Sequence, residues 1–136
     1  MTKLHLLPFL ESVWALEQRL SGLLVDYKLT LSQFRLLLLL DKDKPQTATR
    51  LSAMLGVTKA TTTALLQELT RAELIAASPH PEDRRSSLMR LSPAGKKRLH
   101  QALEALSDME RMLGKKLTPE ITEALKQFNL KHDGAT

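Results

Sequence analysis

The run Pro81-Glu82-Asp83-Arg84-Arg85-Ser86-Ser87-Leu88-Met89-Arg90-Leu91-Ser92-Pro93-Ala94-Gly95 holds the residues most able to do chemistry. A guanidinium offers a planar fork of donors that suits phosphates and base edges. It also suits a narrow, strongly negative minor groove. Asp83 and Arg85 are two apart, so in extended chain they lie on one side, and the carboxylate can orient the guanidinium. Arg84 beside them is placed for phosphate or solvent. Ser87, Met89 and Leu91 alternate, which predicts a strand with Met89 and Leu91 turned inward. Ser92 then reads as a helix cap, with Pro93 at the first helical position.

The elements upstream decide what such a tip can reach. Thr47 can cap a short helix, Ala48 to Leu55, with Leu51 and Leu55 inward and Gly56 ending it in the left-handed conformation. Thr58 caps the next helix, where Thr62, Leu65, Leu66 and Leu69 have core-facing spacing. Its other face presents Lys59, Ala60, Thr61, Thr63 and Gln67. A short helix, a glycine turn and a helix with a small polar face make a helix-turn-helix. Leu74 and Ile75 lead into an extended segment, Ser78 to Arg85 is turn-rich, and Ser86 to Leu91 returns, so two strands form a wing. A wing with arginine at its tip, beside a helix-turn-helix, can touch two DNA grooves at once.

The flanks are helical. Leu6, Leu10, Val13, Leu20, Leu24 and Tyr27 recur at helical spacing, with Trp14, Leu16 and Leu23 widening the stripe. A stripe this wide calls for a partner helix. Thr30 and Gln33 form a capping box before Phe34 and Leu36 to Leu40, and Asp41 to Pro45 is a polar turn. Beyond the wing, Leu99, Leu103, Leu106 and Leu113 mark one helix, broken at Gly114 to Leu117. Thr118 and Pro119 begin another with Ile121, Leu125 and Phe128 inward, and Gly134 to Thr136 reads as a frayed tail.

The expected fold is therefore mostly α with a small β-wing. Residues 1–29 form an N-terminal dimerisation helix, 30–92 a winged helix-turn-helix lobe, and 93–136 C-terminal dimerisation helices. Composition agrees. The 136-residue chain is 43% hydrophobic but only 4% aromatic, so its core is Leu and Ala. The absence of Cys excludes disulfides and thiolate metal sites and fits a reducing, cytoplasmic setting. Leu4 to Leu10 is interrupted by His5 and Pro8 and ended by Glu11, unlike a secretory leader, and no run is long enough to span a bilayer. The net charge is +5 and the pI about 9.7. No Asp or Glu occurs from Lys44 through Gln67 or from Arg84 through Leu103, and a basic middle of this kind suits a polyanion partner. His5, His80, His100 and His132 share no metal-binding spacing, though His100 and Glu104 could meet on a helix. No nucleophile motif appears, so neither metal, cofactor nor catalysis is expected.

Together these pieces resemble the MarR family of winged-helix transcriptional regulators. The wing pattern Asp-x-Arg, five residues, Leu-Thr-x-x-Gly is matched by Asp83, Arg85, Leu91, Ser92 and Gly95, with Ser in place of Thr. Leu29-Thr30 with Gln33 and Phe34, Leu55-Gly56-Val57-Thr58, and Leu74-Ile75 are similar as well. The resemblance implies a homodimer with interlocking terminal helices. It implies a helix from Thr58 in the major groove, a wing in the minor groove, and a small molecule between lobe and dimer helices. Trp14 and Tyr27 are candidates to line such an effector pocket. The chain departs from the family where Ala64, Ala76 and Ala77 replace common basic residues and Glu73 a common Gly. Fewer arginines mean weaker reading of guanine and favour an A·T-rich site. The rival reading is a dimeric winged-helix module that binds protein or a small molecule without specific DNA binding.

Overall fold

Thr30 and Gln33 close the capping box their spacing predicts. The Gln33 amide donates to Thr30 Oγ1 and the Thr30 amide to Gln33 Oε1, each at 3.1 Å. In the computed structural model, which describes residues 5–42 and 44–128, this box starts the central helix of the molecule. The elements are α1 (Leu6–Leu24), α2 (Leu31–Lys42), α3 (Ala48–Leu55), α4 (Lys59–Arg71), β1 (Ile75–Pro79), β2 (Ser87–Leu91), α5 (Pro93–Ala105), α6 (Ser107–Lys116) and α7 (Pro119–Lys126). The expected tail at Gly134 to Thr136, and His132, lie outside the described residues.

Helix α2 buries Phe34, Leu36, Leu37 and Leu40 and touches α1, α3, α4, α5 and β2. Leu24, Leu51, Leu69, Leu74 and Leu99 close the same core from their own elements. The aliphatic core expected from composition is thus continuous from α1 to α5.

Helices α3 and α4 are held by hydroxyls. Thr47 caps α3 and Thr58 caps α4, each accepting an amide three residues on. Gly56 lies in the left-handed region at φ 71°, and the amides of Gly56 and Val57 both reach the Ser52 carbonyl. Thr62 is completely buried, and its hydroxyl lies 2.8 Å from Ser52 Oγ and 3.2 Å from the Thr58 carbonyl. A buried hydroxyl must be bonded, so this chain fixes the crossing of the two helices.

The two strands pair antiparallel, from Ile75 opposite Leu91 to Pro79 opposite Ser87. Met89 and Leu91 pack on the core as expected. An extra partner was not foreseen. Gln46 bridges Met89, with amide-to-carbonyl distances of 3.0 and 2.7 Å, so the wing is pinned to the segment before α3. Pro79, which has no N–H to give, sits on the outer strand.

Ser92 joins wing to α5. Its amide donates to the Leu74 carbonyl (3.0 Å), its hydroxyl to the Glu73 carbonyl (2.7 Å), and its Oγ accepts the Gly95 amide (3.0 Å). Gly95 is buried, and a Cβ there would fall inside the Leu74 carbonyl. The Leu-Ser-x-x-Gly pattern is therefore a packing requirement. Glu73 itself has φ 60° at the end of α4, and the Leu74 amide closes that end on the Leu69 carbonyl.

Four expectations need correction. Helix α1 stops at Leu24 rather than Tyr27. A 3₁₀ turn over Val25–Tyr27 and left-handed Lys28 (φ 54°) let the Leu29 amide reach the Leu24 carbonyl and seat both leucines in the core. The helix through Leu99 and Leu113 ends within the expected Gly114–Leu117 stretch, after Lys116, but it also bends earlier, at Leu106. There Leu106 and Met109 turn onto the core, while Gly114 stays helical within α6. Asp83 and Arg85 do not lie in extended chain but in a turn, described below. Ile121, Leu125 and Phe128 are not inward, being 44%, 38% and 78% exposed within the single chain.

Gly95→Ala is expected to cost about 1–3 kcal/mol in chemical denaturation, because backbone must yield to the new methyl. Glu73→Gly is expected to raise stability by up to about 1 kcal/mol by removing left-handed strain. Equal midpoints for Gly95→Ala and the parent chain would contradict the close approach.

Candidate nucleic-acid interface

Helix α4 buries one side, through Thr62, Leu65, Leu66 and Leu69, and exposes Thr58, Lys59, Ala60, Thr61, Thr63, Ala64 and Gln67. The sequence-predicted reading face is thus a real surface. Its hydroxyls are not equivalent. Thr58 Oγ1 accepts the Thr61 amide (3.1 Å) and donates to Thr61 Oγ1 (2.9 Å), leaving the Thr61 hydroxyl proton free to point outward. The Thr63 hydroxyl donates back to the Lys59 carbonyl (2.9 Å), so Thr63 presents its methyl group. One threonine offers a donor and the other an apolar contact, the complement of a thymine's O4 and methyl. Lys59 stands at the positive end of the helix, where a second positive charge is favourable only if an anion joins it.

The wing tip supplies the second group of residues. Asp83 forms a side-chain turn: its Oδ1 accepts the Arg85 amide at 3.0 Å and its Oδ2 the Ser86 hydroxyl at 3.3 Å. The Ser86 amide returns to the Asp83 carbonyl at 3.1 Å. Arg85 Nε is 3.6 Å from Asp83 Oδ1, but the Arg85 side chain is 95% exposed, so the ion pair itself contributes little. The carboxylate shapes the loop more than it holds the guanidinium. Arg84 and Arg85 are both exposed on this loop.

Trp14 and Tyr27 do not come together. Trp14 is 64% exposed on α1, and Tyr27 lies beside Asp26, Lys28 and Arg98 at a shallow polar groove of about 200 Å³. An apolar cleft of about 690 Å³ instead opens among Leu20, Phe34, Leu38, Leu103, Met109 and Leu113, lined by neither residue. No spacing in the sequence marks this cleft, since its walls come from four helices and its shape depends on the bend at Leu106. Another groove of about 630 Å³ runs between α4 and β2, along Thr63, Leu66, Gln67, Arg71 and Met89. His100 pairs with Asp41 of α2 (Nε2 to Oδ2, 3.5 Å) rather than with Glu104. Among the described residues no group of three or more His, Asp or Glu is placed to hold a metal ion.

The amide of Arg85, then the hydroxyl of Ser86 and the guanidinium, hold the Asp83 carboxyl below its ordinary range. A lowered folded value means the turn is fully supported above the ordinary aspartate range and loses support as pH falls through the folded value. In an NMR titration the Asp83 carboxyl is expected to titrate below a free aspartate. Asp83→Asn, which keeps Oδ1, is expected to preserve the Arg85 amide shift that Asp83→Ala loses. Identical Arg85 shifts in the two variants would remove the turn from consideration.

Comparison with known proteins agrees with this geometry. The MarR family model matches residues 29–87. The HTH-type transcriptional repressor YetL of Bacillus subtilis (strain 168) is 34% identical over 109 residues, a match spanning 71% of this chain and 65% of that protein's length. The S. aureus MepR–DNA complex superposes with a TM-score of 0.79 at 22% identity, covering 99% of this chain and all of that one. Wild-type apo MarR from E. coli gives 0.73 at 23% identity, covering 93% and 95%. The MarR family model thus matches the helix-turn-helix and most of the wing, and nearly the whole chain has the winged-helix fold of MarR-family structures.

Proposed function

We propose that this chain is a DNA-binding transcriptional regulator, a repressor, that occupies a pseudo-palindromic promoter site as a homodimer. The observation that supports this reading is that one lobe carries two exposed surfaces, the Lys59–Gln67 face of α4 and the Arg84–Arg85 wing tip. The MepR structure is itself a DNA complex, and YetL is a repressor. In this reading α4 lies in the major groove, where Thr61, Thr63 and Gln67 meet base edges. Lys59 and the first amides of α4 meet phosphate. Arg85 enters the minor groove. The family consists of transcriptional regulators rather than enzymes.

The dimer rests on uncovered apolar surface. Leu6, Leu7, Leu10 and Trp14 of α1 are at least half exposed, and α7 buries none of its residues within the chain. A small domain does not leave such faces to water. The cleft among Leu20, Phe34, Leu103 and Met109 supports release by a small apolar or aromatic effector, since ligand sites are mostly apolar hollows of this size. No helix among the described residues is long and apolar enough to cross a membrane. We place the protein in the cytoplasm with the DNA it would bind.

Sedimentation at micromolar concentration is expected to give a dimer, with Leu6→Glu and Phe128→Glu each shifting it toward monomer or unfolding it. A folded wild-type monomer would remove the two-lobed reading.

Binding to the DNA flanking the gene is expected to weaken steeply with salt. Neutralising about six phosphates gives a log–log slope of about −5, and Lys59→Ala lowers it by up to about two per dimer. Arg85→Ala is expected to weaken operator binding about ten- to a hundredfold while leaving the melting temperature almost unchanged. Thr61 and Thr63 variants are expected to change which sequence is preferred. If Arg85→Ala binds duplex as well as wild type, the wing does not read DNA. The module without specific DNA binding, favoured by Ala64, Ala76 and Ala77, then becomes the better account.

A further inference from the structure

The wing tip has a shortage of backbone partners. Strand pairing ends at Pro79 opposite Ser87, and Pro81 brings no amide of its own. The His80 amide closes a last rung on the Ser86 carbonyl at 3.2 Å. Beyond it the Glu82 and Asp83 amides both donate to one atom, His80 Nδ1, at 3.0 and 3.2 Å. The half-buried imidazole thus stands in for carbonyls that the turn cannot supply. Asp83 does the same for Arg85, one step further along. The tip that carries Arg84 and Arg85 is therefore built on two side-chain acceptors in series.

The two acceptors differ in one respect. A carboxylate accepts throughout the neutral range. An imidazole accepts at Nδ1 only while it is neutral and carries its proton on Nε2. Adding a proton to Nδ1 turns the shared acceptor into a donor facing two donors. The charged groups of the tip are Glu82, Asp83, Arg84 and Arg85, and the one charge on β2, Arg90, sits opposite Ala76 at the other end of the hairpin. An imidazolium here is drawn to the Glu82 and Asp83 carboxylates and competes with Arg85 for the latter. Lost acceptance and new attraction both move the tip from its present shape.

We propose that His80 is the positioning residue of the wing: neutral, it holds Arg84 and Arg85 for DNA, and protonated, it lets the tip rearrange and weakens binding. The inference rests on the reading that the wing contacts DNA.

The test has two readouts on the intact dimer. The first, without DNA, is the amide shift and hydrogen exchange of Glu82 and Asp83 from about pH 8 to about pH 5.5, the span in which histidines titrate. The second is affinity for the flanking DNA over the same span at constant ionic strength. Wild type is expected to lose protection at both amides and about two- to tenfold in affinity as pH falls, the scale of one or two net hydrogen bonds. His80→Asn places an oxygen near the position of Nδ1 and does not titrate, so it is expected to keep the protection and flatten both profiles. His80→Phe is expected to show the loosened tip at every pH. Amide protection indifferent to both pH and His80→Phe would overturn the proposal, as would a wild-type pH profile retained in His80→Asn. A loosened tip with unchanged affinity would overturn its DNA part. Arg85→Ala, measured alongside, tells whether the wing reads DNA at all, so failure of the switch is distinguishable from failure of that reading.

Discussion

The approach of Gly95 to the Leu74 carbonyl is the constraint on which the rest of the molecule hangs. That carbonyl accepts the Ser92 amide and leaves no space for a side chain at position 95. The Ser92 hydroxyl reaches the neighbouring Glu73 carbonyl. Three elements meet within these few residues: the end of helix α4, the base of the wing, and the start of α5. Their mutual angles are set by backbone contacts, which yield far less than side-chain packing does. The lobe is thereby oriented on the helices that lead to the uncovered C-terminal faces.

A second set of bonds, made by polar side chains, keeps helices α2, α3 and α4 in register. Ser52, Thr58 and Thr62 tie α3 to α4 from within, and Gln33 Nε2 donates to Glu68 Oε2 at 2.9 Å from α2. Arg35 reaches the Leu55 carbonyl at 3.2 Å, across the end of α3. The bonds of the buried Thr62 hydroxyl have fixed partners away from water, so α4 cannot slide by a turn on α3 without leaving them unpaired. The leucine core alone has no such directionality.

What was legible in the sequence was local. The caps at Thr47, Thr58, Ser92 and Thr118 all accept the amide three residues on, because a cap depends only on its own turn. The inward pattern of α4 was legible for the same reason. The features that escaped depend on distant partners. Gln46 is extended because Met89 lies beside it, and the helix bends at Leu106 because Leu106 and Met109 have a core to turn onto. Lys28 and Glu73 adopt a conformation their residue types disfavour, which no propensity foretells. The Asp83–Arg85 spacing suits a strand as well as the turn it forms, since both place the residues near each other. Arg84 and Arg85 are exposed at the tip the sequence points to, with Asp83 half-buried beside them; the imidazole beneath has no signal in the sequence, because histidine as a turn acceptor has no spacing signature.

The Gln46–Met89 bridge bears on how the chain reaches this structure. It joins two segments separated by the whole helix-turn-helix, so it forms only after α3 and α4 have docked and the loop between has closed. The capped helices can form earlier from local contacts. The wing is then the last part to be fixed on a newly made chain. Its strands rest on the core through Ile75, Met89 and Leu91, but its tip is held by a few bonds near the surface, so the tip is the first part to open in a folded one. A nascent or heated molecule would lose the shape of its arginine tip while its helices still stood.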